Sequence, residues 1–376
     1  MDQVKLLIID DQADDEKAKL TAWSGRVDFR VRYPWDVSEN DLIFANVVVV
    51  DYRLDQIWEA RDALEQIALK PRNGLALASV LRSQERIMDG GPTAFLLRSA
   101  HLLDLSPEFP PESRLHVIAH QNNLEWVLSK NGDVNEQMNQ IICLAKAVDA
   151  LPDNWPHVDA TGMKELLREW LNVPANERWS DLAWQDIEEC HPPLHELSTS
   201  KQGLRLIRWI LHRILPYPCF LMTINRLAVR LKVTEESLKA AVEDGLAECF
   251  AAGAYMGALN QFDRRARWWG RGIESILWDL TDGQSFNVSR TLEVLNSICG
   301  QKLVPLVMSQ PILCLDKEYQ FRDQPCELLE AVQVQPDDWP AYAEQAWASI
   351  ADVHADERLR AIVVSSDRER IQEEEA

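Results

Sequence analysis

"VKLLIIDDQADDEK", Val4–Lys17, is an apolar run that ends on two adjacent carboxylates, Asp10 and Asp11, with Asp14, Asp15 and Glu16 close behind. A short apolar run bounded by polar residues reads as a fully buried strand, here Val4–Ile9. The acids that follow suit the first turn of a helix over Asp14–Trp23, where they complement the helix dipole. Like charges side by side at the end of a buried strand cost free energy unless a cation compensates them. The pair therefore asks for a partner elsewhere in the chain.

Further along, strands and helices alternate up to about residue 150. Strands are predicted at Asp28–Tyr33, at Val47–Val50 ("VVVV", stopping at Asp51), at Thr93–Leu97 and at Trp126–Leu128. Helices are predicted at Ser38–Ala45, Gly74–Gln84, Ser113–Asn122 and Asn135–Ala150; Ser38 with Asp41 three residues on suits a capped start. This alternation implies a doubly wound, parallel five-stranded α/β sheet with helices on both faces. Sites in such sheets form at the carboxyl ends of the strands. Here those ends carry Asp10, Asp11, Asp51, Ser99 and Lys130.

Three carboxylates on one rim supply hard oxygen ligands that suit Mg²⁺. A lysine and a hydroxyl beside them suit a phosphoryl group, for which an aspartate can be the nucleophile. No GxGxxG follows the first strand, which argues against a dinucleotide site. Met1–Ala150 resembles the receiver domain of two-component response regulators, a flavodoxin-like fold. The resemblance rests on "LLIIDD", "VVVVDYRL", "NGLALASVLR", "TAFLLRSA" and "EWVLSK", in that order. It implies that Asp51 is the phosphoacceptor and that Mg²⁺ is held by Asp10, Asp11, Asp51 and the backbone carbonyl of Arg53. It also implies Ser99 as the switch hydroxyl and Lys130 as the cation on the phosphate. A histidine kinase or phosphotransfer protein would be the donor. The chain departs from the family pattern in a long stretch between Asp51 and Gly74 and in a second insertion, His101–Pro111. Asn131 follows Lys130 in place of proline, and Val127 stands where the switch aromatic is expected, with Trp126 beside it.

The whole chain has 376 residues, more than one core usually serves. "LPDNWP", Leu151–Pro156, reads as the boundary between a receiver-like domain (1–150) and a mostly helical region (151–376) that ends in an acidic "QEEEA" tail. No apolar stretch approaches the roughly 20 residues that span a bilayer, so no membrane partner is expected. The acidic N-terminus running straight into a strand is not a secretory signal, and seven scattered cysteines read as reduced thiols. A cytoplasmic, bacterial protein is the expectation. The net charge of −21 opposes general affinity for nucleic acid. Yet Leu197–Thr234 contains no acid and carries Lys201, Arg205, Arg208, Arg213, Arg226, Arg230 and Lys232. Such an island fits contact with a partner or with the chain's own acidic parts.

Within the second region, Thr223–Leu246 has the pattern of a helix-turn-helix, turning at Lys232–Thr234. Its second helix would present Glu235, Glu236, Glu243 and Asp244, which repel phosphates. A tri-helical packing unit is therefore favoured over DNA readout. "RRARWWGRGIESILWDL", Arg264–Leu280, joins cations to Trp268 and Trp269; a helix with core aromatics covered by arginine is favoured over base stacking. The prolines of "CHPPLH" keep Cys190, His191 and His195 from forming a helical metal face. No catalytic motif occurs here, so the chain reads as a signalling protein rather than an enzyme beyond self-catalysed phosphoryl acceptance. Output by protein–protein contact, or storage of phosphate as a sink, is the expected role. The alternatives are a DNA-binding transcriptional regulator through residues 223–246, or a receiver fused to an effector in a phage-defence phosphorelay.

Overall fold

Five parallel strands, β1 (Val4–Ile9), β2 (Val27–Arg32), β3 (Val47–Asp51), β4 (Ala94–Ser99) and β5 (Trp126–Ser129), form one sheet in the order β2-β1-β3-β4-β5. This is a flavodoxin-like α/β arrangement. The computed structural model describes residues 3–54, 71–85, 87–100, 102, 105, 115–152, 155, 159–197 and 203–373. Most of the two insertions between Asp51 and Gly74 and over His101–Pro111, together with the end of the Leu151–Pro156 boundary, lies outside the described residues.

Side chains alternate across a strand. Leu7, Ile9, Val48, Val50, Phe95, Leu97 and Val127 face one core, and their neighbours Leu6, Ile8, Val47, Val49 and Leu96 are equally buried. Both faces of the sheet are therefore covered, which is why "LLII" and "VVVV" are continuous rather than alternating apolar runs. The covering helices are α1 (Ala13–Leu20), α2 (Glu39–Phe44), α3 (Gly74–Glu85), α4 (Leu115–Gln121) and α5 (Val134–Asp149). Ser38 and Asp41 form a capping box at α2, and the Asp133 side chain accepts from Glu136 N at the start of α5. Helix α1 is shorter than its sequence pattern and tightens into a 3₁₀ turn, Thr21–Trp23.

The chain divides into two compact units. The first comprises Met1–Leu171, Pro192–Pro216 and Gly257–Arg264. Besides the sheet it holds α6 (Ala160–Trp170) and the helix Leu204–Trp209, which continues as a π turn through Ile214. The second comprises Asn172–His191, Tyr217–Met256 and Arg265–Ala376. It contains the expected helix-turn-helix: Ile224–Leu231, a left-handed Lys232 at φ 55°, then Glu235–Ala241 capped by Thr234. Leu227, Ala228, Leu231, Leu238 and Ala241 pack with Trp268, Ile273 and Leu295. This region is not purely helical. Leu221–Thr223 pairs antiparallel with Arg267–Trp269, Pro311–Ile312 with Cys326–Glu327, and Ala331–Val334 with Ala346–Ser349. Trp268 and Trp269 are buried as expected, but on a strand that precedes the helix Gly270–Leu280. Among the described residues no helix is long and apolar enough to cross a membrane.

Candidate functional site

The carboxyl ends of β1 and β3 bring Asp10, Asp11 and Asp51 together. One oxygen from each lies within 4.8 Å of the other two. Lys130, just past the end of β5, spans the gap: its Nζ is 2.8 Å from Asp51 Oδ1 and 3.2 Å from Asp10 Oδ2. Asp10 and Asp51 are buried, while Asp11 is partly open. The second oxygen of Asp10 accepts from Gln12 N at 2.8 Å, which fixes its orientation.

Ser99 ends β4, one residue beyond Arg98, the register partner of Asp51. Its carbonyl accepts from Lys130 N at 2.8 Å, which ties the hydroxyl-bearing residue to the lysine. Arg53 lies two residues past Asp51 and bridges Asn73 on the strand-like return to α3. Tyr52 N, between them, donates to Arg98 O at 2.9 Å. The sheet thus gathers Asp10, Asp11, Asp51 and Lys130 together and sets Ser99 at the end of β4 and Arg53 on the loop after β3.

Three carboxylates face one ammonium in this cluster, and their titration reflects the excess. Burial, a hydrogen bond to Asp10 and the charges of Asp10 and Asp51 push Asp11 up to about 6. Burial also raises Asp51, against the opposing pull of Lys130. Lys130 is held above its usual range: burial opposes its charge, but hydrogen bonds and charge from Asp51 and Asp10 prevail. An uncompensated negative site lined by hard oxygens is chemistry that suits Mg²⁺, so the residues present fit that ion. Among the described residues this is the only group of three or more acids, histidines or cysteines so disposed; Cys190, His191 and His195 form none.

Val127 is wholly buried in the core, so the position where the resemblance expects a switch aromatic offers none. Trp126 points the other way, stacking on His212 at 6.2 Å and meeting Phe262 edge-on at 4.9 Å.

Two charged arrangements escaped the sequence reading. Arg98 pairs with the buried Glu16 at 2.6 Å, beside the site. Its only sequence signal was a lone cation inside an apolar strand. Glu125, at the head of β5 and wholly buried, receives Arg82 Nη2 at 2.7 Å, Arg208 Nε at 2.7 Å and Phe95 N at 2.6 Å. The basic island is largely occupied by such pairs. Arg205 meets Glu196, Arg226 meets Glu344, and Arg230 forms a two-point contact with Glu274 at 2.6 and 2.8 Å. Lys232 Nζ donates to Ser309 O at 2.5 Å. Lys201 lies outside the described residues.

Scans against known protein families and against curated proteins find no match to this chain.

Proposed function

We propose that residues 1–150 form a receiver-like phosphoacceptor domain and that Asp51 takes a phosphoryl group from a phosphohistidine of a kinase or phosphotransfer protein. The observation that carries this reading is Lys130, whose ammonium bridges Asp51 and Asp10 beside a third carboxylate. An Asp51 oxygen attacks phosphorus, the P–N bond breaks, and the leaving imidazole keeps the electron pair and takes a proton. Asp10, Asp11 and the Arg53 carbonyl would hold Mg²⁺, which when bound neutralises charge on the phosphoryl oxygens. Lys130 then exchanges its carboxylate contact for a phosphoryl oxygen, and the hydroxyl of Ser99 would donate to another.

The role of residues 151–376 is either output through protein contact or none, the domain then storing phosphate as a sink. The buried Val127 favours storage or weak coupling, because it cannot swing as an exposed aromatic would. A DNA-binding role has one specific support, the helix-turn-helix geometry at 223–246. Against it stand the exposed acids Glu236, Glu243 and Asp244 and the internal ion pairs of Arg226 and Arg230.

The test is to incubate the full chain with Mg²⁺ and acetyl phosphate and to read phosphorylation by intact mass and peptide mapping. A single acid-stable, base-labile adduct on Asp51, lost on Asp51→Asn, is expected. An adduct undiminished on that variant, or none on the unaltered chain with either acetyl phosphate or a cognate kinase, would overturn the assignment.

A further inference from the structure

None of the seven cysteines is in a disulfide, and two pairs are in contact: Cys190 with Cys219, and Cys314 with Cys326. Both pairs lie in the second unit, and neither contributes to the aspartate site. The second pair has a similar balance, with Cys314 and Arg322 holding Cys326 below the usual thiol range; the first pair adds a cavity that both of its cysteines line. Cys190 closes the C-terminal end of the helix Ser180–Glu189, and Cys219 precedes the strand Leu221–Thr223. The Cys190 thiol and the backbone N–H groups of Leu221 and Phe220 donate to the Cys219 sulfur. Arg226 sits alongside, its Nη1 donating to Leu221 O at 2.9 Å and Cys219 O at 3.4 Å. Burial opposes a thiolate at Cys219, but these donors and the guanidinium charge prevail and hold it below the usual thiol range. Cys190, bound as the donor and buried, is pushed far up.

Cys190 and Cys219 both line an open cavity of about 280 Å³. Its wall also carries Asp186, Glu189, Arg271 and Glu274. Arg271 is paired with Asp186 at 2.7 and 2.8 Å, Glu274 with Arg230 and the lining Glu344 with Arg226, so most of the charge around the cavity is compensated. Such a cavity admits small neutral oxidants. Cys299 offers a contrast: its sulfur is engaged with Leu295 O at 3.2 Å and Gln301 O at 3.1 Å.

We propose that Cys219 is the nucleophile and Cys190 its resolving thiol, together forming a reversible oxidation site for hydrogen peroxide and small organic hydroperoxides. The Cys219 sulfur attacks the terminal peroxide oxygen, the O–O bond breaks, and water or an alcohol leaves after taking a proton, giving the sulfenic acid. The Cys190 sulfur then attacks the Cys219 sulfur. An S–S bond forms, hydroxide leaves, and the Cys190 proton converts it to water. The two thiols have lost two electrons and the peroxide has gained them. A cellular dithiol returns the pair to the reduced state by exchange.

The full chain, reduced and then pulsed with hydrogen peroxide, is quenched with N-ethylmaleimide and mapped by mass spectrometry. The Cys190–Cys219 cross-link should form at least about five-fold faster than Cys314–Cys326, because Cys190 and Cys219 line an open cavity that a small peroxide can enter. Cys190→Ser should leave a sulfenic acid on Cys219 that dimedone traps, and Cys219→Ser should leave none on Cys190. Cross-links forming at equal rates, or dimedone on Cys190, would overturn the proposal. A measurement on the unaltered chain guards against misfolded variants: iodoacetamide should alkylate Cys219 with a pH midpoint below that of Cys249. A midpoint at or above Cys249 would overturn it as well.

Discussion

A Cβ placed on Gly74 would stand 2.1 Å from the carbonyl oxygen of Asp51. The chain leaves β3 at Asp51 and returns at Gly74, whose N–H donates to Tyr52 O at 2.8 Å. The first residue of α3 is therefore packed against the backbone that carries Asp51, and no side chain fits between them. Gly74→Ala must push α3 and β3 apart, at a cost of roughly 1–3 kcal/mol in line with overpacked cores. It should also displace Asp51 from Lys130 and slow labelling by acetyl phosphate. Urea unfolding and the labelling rate report the two effects; a variant with both unchanged would contradict the packing.

Asp11 titrates near 6 in the folded chain, against 3.8 for an ordinary aspartate. A raised folded pKa means that this group's contribution to stability is fully present below the unfolded value. It is lost as pH rises through the folded one. In metal-free buffer, stability should therefore fall between about pH 4 and pH 6 and then level off. Asp11→Asn should flatten that slope and stabilise the protein at pH 7 by about 1–2 kcal/mol, after discounting for the partial exposure of the group. Mg²⁺ should bind more weakly as pH drops through the same range, because the proton and the ion compete. Thermal melts across pH, with and without Mg²⁺, decide both points; a slope that Asp11→Asn leaves intact would count against them.

Glu125 behaves in the opposite sense. Burial resists its charge, but Arg82, Arg208 and the Phe95 amide hold it down to about 2. A depressed carboxylate stabilises the fold above its unfolded pKa, and that stabilisation is lost as pH falls from about 4.5 towards 2. Glu125→Ala strands two guanidinium groups in a buried site and should cost about 3–5 kcal/mol. Chemical denaturation at pH 7 measures it. A loss below 1 kcal/mol would mean that water replaces the carboxylate without penalty.

Arg230 and Arg226 are expected to serve the fold rather than a duplex. Arg230→Ala should lower stability by about 1 kcal/mol, the range for a well-aligned but partly exposed pair. The full chain should show no sequence-specific DNA binding at physiological salt. A tight duplex complex whose salt dependence weakens on Arg226→Ala and Arg230→Ala would instead make these residues phosphate contacts.

The parallel α/β half was legible because its signals are local. Continuous runs such as "VVVV" can be satisfied only between two helical layers, and each run stops where a charge must reach the rim. The rim itself followed from strand order: once the sheet is parallel, Asp10, Asp11, Asp51 and Lys130 end on the same side. The helix-turn-helix was equally local, fixed by helical spacing and the cap at Thr234. Tertiary structure decided the rest. The short ladders of the second unit are two to four residues long, too brief to show a period. Residues Pro192–Pro216 and Gly257–Arg264 join the first unit although they lie well beyond its strands in sequence. The partners of the charged and thiol groups, Lys130 with Asp10, Glu125 with Arg208 and Cys190 with Cys219, are set by the meeting of distant segments. Secondary structure answers to neighbours a few residues away, whereas the pairing of a buried charge or thiol answers to whatever the packed core brings within reach of it.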